Sequence, residues 1–406
     1  MEIKTNQNNN SKQEQITLII NEIELNFEQM KKIIPEEIKE EINSLINQFT
    51  SIIKDSEKSE FLEQLDILNT IINELSKKIK NFKNINEETK KCLSKVKKLM
   101  YQINTIESRP TLITKTYHNG KYKGDYLNGH REGKGIYIYN NGDKYEGEYK
   151  NDLKDGYGIY IYKNGDIYEG YYKEGNYEGK GIYKYHDGEK YEGEYKNDLR
   201  DGHGVYIYKN GNKYDGQWKG GKKHGKGTLI YKNGNKYIGD FKNGKKEGKG
   251  EFICSDGDKY IGDFKNNKRE GKGVFLYSDG DKYEGDFKND NYEGKGKYIY
   301  ANGNIYEGEF LNDCFHGKGT FIYADGDKYV GDWKNDVKEG FGVYYYKSGN
   351  KYKGEFKNDN GEGKGVFYYA NGDRHEGQFH KGKPFGTHVK YFKNGVIEQI
   401  NFDEDN

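Results

Sequence analysis

A pentad of the form Tyr-x-Gly-x-aromatic returns every 23 residues through most of this chain. Its first position is Tyr122, Tyr145, Tyr168, Tyr191, Tyr214, Tyr237, Tyr260, Tyr283, Tyr306, Tyr329, Tyr352 and finally His375. The glycine two residues on is present every time, and so is the aromatic four residues on, from Tyr126 through Trp218 and Trp333 to Phe379. A strict period between about 20 and 50 residues is the mark of a stacked repeat array, in which each unit buries its face only against its neighbours. That constraint outranks composition. Only 32% of the 406 residues are hydrophobic and the mean hydropathy is −1.16, values that alone would suggest disorder. The 40 tyrosines and 55 glycines fall in register, however, and supply a local, aromatic form of burial.

The rest of the repeat reads as strand and turn. Glycine stands eleven residues after the pentad start in all twelve repeats, Gly133 to Gly386, and thirteen after from Gly135 until His388 interrupts the series. Aromatics follow at fifteen and seventeen, as in Tyr137 and Tyr139, so the segment alternates with the period of a strand. Asn-Gly or Asp-Gly closes twelve of the thirteen joints, such as Asn141-Gly142, and Ser348-Gly349 closes the other; these are hairpin signals. At the first joint a two-residue loop would pair Tyr117 with Tyr122, and at later joints a three-residue loop with a glycine bulge keeps register. Tyr137, Tyr139, Tyr145 and Tyr149 then share one face with Gly133, Gly135 and Gly147, each glycine lying under a ring. Glu146, Glu148, Ile136 and Ile138 take the other face.

The pentad, the Gly-x-Gly and the Asn-Gly turn at this period resemble the MORN repeat (membrane occupation and recognition nexus). The resemblance covers about 111–403, with the structural motif in one unit and the next carried by Tyr145, Gly147, Tyr149, Gly156, Gly158, Tyr168, Gly170 and Tyr172. It implies an elongated single-sheet solenoid of stacked antiparallel hairpins, α+β but mainly β, with half-repeats at Thr111–Tyr117 and Val396–Phe402 as end caps.

A different regime precedes it. Residues 1–11 are polar and expected to be a disordered tail. Across 12–108 apolar residues recur at 4-3 spacing, as in Ile16, Ile20, Ile23, Phe27 and Met30, giving helices expected at 12–34, 36–54, 57–83 and 87–107, with Pro35 opening the second and Asn86 capping the last. Such seams serve an intramolecular bundle or an oligomerising coiled coil equally.

The chain carries 67 basic and 66 acidic residues, a net charge of +1, which gives no case for nucleic acid. No apolar run approaches a membrane span and the start lacks a secretory h-region. Three cysteines, Cys92, Cys254 and Cys314, show no metal or disulfide spacing, so a cytoplasmic protein without cofactor or metal is expected. Gly220–Lys226 resembles a phosphate loop but continues with Gly227 where Ser or Thr is needed. Cys254 substitutes for a ladder tyrosine, and Cys314, His130, His224 and His316 are read as loop residues. No catalytic constellation emerges.

One variation is not dictated by the repeat. Eight and nine residues after the pentad start, three consecutive units carry Lys222-Lys223, Lys245-Lys246 and Lys268-Arg269. Read as loops, these six form a stripe for anionic lipid, tempered by Glu247 and Glu270. The expected function is a non-enzymatic scaffold or adaptor that binds proteins, itself included, and anionic phospholipid membrane at cytoskeletal, ciliary or cortical structures. The alternative is a regulatory or targeting component of a phosphatidylinositol phosphate kinase acting in trans.

Overall fold

A computed structural model describes the backbone of residues 3–55 and 61–402. Four helices come first: α1 (Ile3–Ile33), α2 (Glu36–Asp55), α3 (Phe61–Asn81) and α4 (Glu87–Glu107). The first begins at Ile3, inside the stretch expected to fray; residues 3–33 contain no glycine or proline to stop a helix before Pro35. The expected start of the third helix, at 57, lies outside the described residues. Asn86 caps α4 by accepting a hydrogen bond from the Thr89 amide at 2.8 Å, and its Nδ2 donates to the Ile33 carbonyl at 2.9 Å. The heptad residues close on one another within the chain. Ile23, Phe27, Met30, Ile42, Phe49, Leu75, Val96 and Met100 are buried in one cluster, with Phe27 edge-on to Phe49 at 5.1 Å. The seams are thus satisfied as an intramolecular bundle.

After Arg109-Pro110 the chain is strand and turn. Twenty-six strands, β1 (Thr111–Tyr117) to β26 (Ile397–Phe402), form one antiparallel sheet. By contact density the chain divides into two units, Met1–Gly179 and Lys180–Asn406. The first holds the helices with β2 (Gly120–Leu127), β3 (His130–Tyr139), β4 (Lys144–Lys150), β5 (Leu153–Ile161) and β6 (Ile167–Lys173). The second repeats the same hairpins from β8 (Lys190–Lys196) onward.

Each repeat uses two kinds of turn. Between repeats, Tyr139 N donates to the Asp143 carbonyl and Gly142 N to the Tyr139 carbonyl. That is the expected three-residue loop, with Gly142 at φ +98°. Within the repeat lies a second tight turn, written Asn-Gly only at Asn128-Gly129 and Asn243-Gly244: Lys150 pairs with Leu153 across Asn151-Asp152, whose φ angles are +46° and +67°, as a type I′ hairpin requires. The first joint differs from expectation. Tyr117 pairs with Gly120, not Tyr122, so the two-residue loop is His118-Asn119. The pairing is displaced by two residues, which leaves Tyr117 and Tyr122 on the same face, and Tyr122 lies opposite Tyr137 on the next strand.

The glycines divide by cause. Those eleven residues after the pentad start have positive φ, such as Gly156 at +101° and Gly271 at +69°, and sit where the register slips between Gly147 and Tyr149 and at its equivalents. They make a bulge that only glycine enters without strain. Those at two and thirteen have ordinary backbone angles and a ring above them. A Cβ on Gly147 or Gly158 would stand 2.4 Å from the Tyr145 hydroxyl.

Candidate functional site

The pentad tyrosine organises both faces. In all eleven repeats that have it, the ring is buried, and its hydroxyl crosses the paired glycines to donate to the carbonyl three residues on. Examples are Tyr122 to Asp125 at 2.7 Å, Tyr145 to Glu148 at 3.0 Å, Tyr168 to Tyr171 at 3.0 Å and Tyr283 to Asp286 at 2.8 Å. The aromatic four residues on stands edge-on against it: Tyr149 lies 5.2 Å from Tyr145, Tyr172 5.2 Å from Tyr168, and Phe264 5.1 Å from Tyr260. Gly158 pairs with both Gly147 and Gly170, and Gly147 and Gly158 lie under the Tyr145 ring, but Gly133 and Gly156 do not share that face: a Cβ on either would meet the Asp125 or Glu148 side chain of the opposite face, because the bulge turns these glycines over. Burial raises the pKa of Tyr145, Tyr149 and Tyr172 far above the usual tyrosine value.

The six stripe residues do not lie on loops. Lys222-Lys223, Lys245-Lys246 and Lys268-Arg269 open strands β11 (Lys222–Ile230), β13 (Lys245–Ile253) and β15 (Lys268–Leu276). Successive residues of a strand face opposite ways, and the pairs split accordingly. Lys222, Lys245 and Lys268 are exposed and line one edge at intervals of about 10 Å. Lys223, Lys246 and Arg269 turn into the aromatic face. Lys246 Nζ lies 4.4 Å from the centroid of Phe252 and 5.0 Å from that of Tyr237, and the Arg269 guanidinium 5.2 Å from Phe275. Burial lowers the Lys223 pKa and brings Lys246 down to about 8, with Asp290 opposing that shift. The same position repeats this chemistry elsewhere: Arg131, Lys154, Arg200 and Lys338 sit over rings, while Tyr177, Tyr292 and Phe315 stack on the pentad tyrosine at 3.6–3.7 Å. Cations and flat rings exchange there because both are attracted to the face of a π system. Glu247 and Glu270 accept the backbone amides of Asn266 and Asn289, each at 3.1 Å, so they serve the next turn as well as the local field.

The opposite face of the second unit carries a trough that the sequence reading passed over. It holds about 1560 Å³ and runs from His203 to Lys318. Its floor is the unbroken line of paired glycines, Gly216, Gly227, Gly239, Gly250, Gly262 and onward. One wall is a row of lysines, of which Lys226, Lys249, Lys272 and Lys318 each meet a cross-strand aspartate at 2.5–2.8 Å. The aspartates also accept from the bulge: Lys272 N donates to Asp263 and Lys295 N to Asp286, both at 3.2 Å. The other wall mixes Ile238, Ile261 and Val274 with Glu251, Glu284 and Lys297. The signal for this surface was in the sequence, in the residues between the glycines.

His130, His224, His316 and Cys314 lie in strands, not loops. The Gly220–Lys226 segment is a type I′ turn, with Gly220 and Gly221 at positive φ, leading into β11. Among the described residues no three His, Cys, Asp or Glu side chains are placed to hold a metal ion, and no helix is long and apolar enough to cross a membrane.

Identical hairpins stacked edge to edge, each ring covering glycines of its neighbour, define a tandem β-hairpin repeat protein. The chain belongs to the MORN repeat family: eleven consecutive MORN repeats match residues 122–374, each of 23 residues, behind an N-terminal region of four helices. The family is generally non-catalytic. No curated protein matches the chain. Among solved structures, the TCP domain of SAS-4 from Drosophila melanogaster, in complex with a proline-rich motif of Ana2, is similar at 17% identity and a TM-score of 0.25. The match covers 44% of this chain and 84% of that one. A streptogramin B lyase aligns at 13% identity and a TM-score of 0.13, over 73% of this chain and 83% of that one.

Proposed function

We propose that this protein is a non-enzymatic scaffold that holds protein partners along the sheet face opposite the rings. The trough of the second unit carries the reading. A glycine floor brings backbone within reach of a ligand, and walls that alternate charge with isoleucine and valine offer both polar contacts and apolar area. Repetition every two strands suits a long partner that makes the same contact several times. The test is proximity labelling in the native cell with wild-type protein and with Ile238→Arg/Ile261→Arg, which blocks the trough without touching the ring face. Loss of a defined set of labelled proteins in the variant supports the reading; an unchanged set sinks it.

A second attachment, to anionic membrane, is favoured by the exposed edge lysines Lys222, Lys245 and Lys268. Each basic residue near an anionic surface contributes about 1 kcal/mol, so the three together give about 3 kcal/mol, weak and salt-sensitive. Stable residence then needs several copies together, as self-association would provide. Cytoskeletal, ciliary or cortical sites belong to this same proposal; the alternative is a regulatory or targeting component of a phosphatidylinositol phosphate kinase acting in trans, and the native location of the protein discriminates between them.

A further inference from the structure

The twelfth repeat departs from the other eleven at three ladder positions, with Lys390 where they carry an aromatic or leucine, and the other two meet. His375 stands where the pentad tyrosine belongs, and His388 where the second glycine belongs. An imidazole at 375 is too short to cross the glycine line as tyrosine does. His388, on β25 (Lys383–Tyr391), fills the space from the other side. Its ring atoms stand 2.3–2.6 Å from where a Cβ on Gly377 would be. Its Nε2 lies 2.7 Å from the Gln378 carbonyl, the carbonyl three residues after the pentad start. The hydrogen bond made by tyrosine in eleven repeats is thus supplied from the neighbouring strand in the twelfth.

The proton positions follow from the partners. A carbonyl only accepts, so His388 Nε2 carries a hydrogen and donates. The Nδ1 of neutral His388 is then a lone pair, and it accepts from His375 Nδ1 at 2.8 Å. Both rings are buried, His375 at 2% and His388 at 0% exposure. Phe367 and Tyr369, from and just after β23 (Asn360–Tyr368), Phe379 on β24 (Arg374–His380) and Phe402 on β26 surround them at 4.9–5.7 Å. The charge that faces the pair is a cation, Lys390, the cross-strand partner of His375, with Nζ over the Tyr369 and Phe392 rings. Of the nearby carboxylates, Glu376 accepts from Tyr391 Oη and Asp373 from the Lys393 amide, and Glu398, the cross-strand partner of Lys390 on β26, is exposed.

We propose that the last hairpin, β25–β26, is an acid-released end cap: protonating the histidine pair expels it and bares the edge of β24. A proton on His375 Nε2 puts a cation among rings beside Lys390. A second, on His388 Nδ1, sets two N–H groups against each other. Burial first, then His388 and Lys390, holds the His375 pKa down to about 4. A histidine whose folded value lies below its unfolded value of about 6.5 leaves the fold at full stability above that value. The contribution is lost as pH falls from there toward 4.

Hydrogen exchange on the full-length protein tests this, at pH 7.5 and 4.5 after correction for intrinsic rates. The wild type is expected to lose at least tenfold protection across 383–402 at pH 4.5, while β22–β23 (351–368) stays protected. His375→Tyr/His388→Gly, which restores the consensus rung, keeps both regions protected. Equal loss in this variant, or retained protection in the wild type, overturns the proposal. A histidine NMR titration of the wild type is the second readout. His375 titrating near 6.5 while 383–402 remains protected also overturns it.

Discussion

At the scale of single residues, the fold rests on rings placed over glycines and on hydroxyls that find a carbonyl. Phe264 is buried and stands edge-on to Tyr237 at 4.9 Å and Tyr260 at 5.1 Å. Phe264→Ala should cost about 3 kcal/mol by denaturant titration, from lost transfer energy and a residual cavity. Not every hydroxyl is satisfied. Tyr149 and Tyr172 are buried with oxygens that have no hydrogen-bond partner, at a position where other repeats have Phe241 or Phe264. Removing an unsatisfied buried oxygen relieves its desolvation penalty, so Tyr149→Phe and Tyr172→Phe should be neutral or up to about 1 kcal/mol stabilising. Clear destabilisation would mean that the hydroxyls have partners after all. Lys246 gives a signed pH test. Its folded pKa near 8 lies below the ordinary lysine value, so the charged form is disfavoured in the fold. The penalty is whole below about pH 8 and disappears as pH rises toward 10.5. Lys246→Met should therefore be more stable than wild type at pH 7 and equal to it by about pH 10; a constant difference across that range would remove burial of the charge as the cause.

At the scale of the element, two glycine roles that look identical in sequence separate. Gly271 occupies the bulge at φ +69°, and an added Cβ would sit 3.2 Å from Asp263. Gly271→Ala should cost about 1–2 kcal/mol in backbone strain. Gly273 has an ordinary φ, but its Cβ would meet the Tyr260 ring at 2.4 Å. Gly273→Ala must displace the ring and should cost more, about 3 kcal/mol. In a Tyr260→Leu background the extra cost of Gly273→Ala should largely vanish, while that of Gly271→Ala should persist; a double-mutant cycle reads the difference. The turns also bind repeat to repeat. Asp290 accepts the Arg269 amide at 2.8 Å and Asp313 the Tyr292 amide at 2.7 Å. On the other edge Asp281 accepts the Ala301 amide at 2.8 Å. The bulge leaves the strand's first residues without a ladder partner on one side, and the carboxylate of the next turn takes that place.

At the scale of the whole molecule, burial of phenols makes alkali a general denaturant of this protein. Tyr122, Tyr145, Tyr214 and Tyr283 all have folded pKa values pushed well above the unfolded value near 10. For a group with a raised folded pKa, stability is complete below the unfolded value and falls as pH rises through the interval above it. With so many tyrosines in the same state, the sheet should unfold in one steep step above about pH 10. Tyrosinate absorbance and loss of the far-ultraviolet signal should coincide. Smooth phenol titration with the sheet intact would contradict the burial of this face.

The 23-residue period was legible without coordinates, because a stacked array must repeat its contacts and any lapse would leave a ring without its glycine. Strand positions, the ring face and the glycine-bulge joints followed from it, and the helical seams from their own 4-3 spacing. The fate of individual charges did not. Lys245 and Lys246 are adjacent and chemically alike in sequence, yet alternation along a strand sends one to water and the other among rings. The type I′ turn that sets this alternation is Asn243-Gly244 at this repeat and Asn151-Asp152 at another, and so varied a pair reads as a plain polar loop when the inter-repeat Asn-Gly joints already account for the hairpins. The trough was hidden for a related reason: its floor is the backbone behind glycines already accounted for by the rings on the opposite face. The exchange between His375 and His388 shows the limit most clearly. Sequence marks two breaks in a pattern thirteen residues apart, and only the pairing of β24 with β25 turns them into a single repair, because the space that one ring leaves empty is filled by the other.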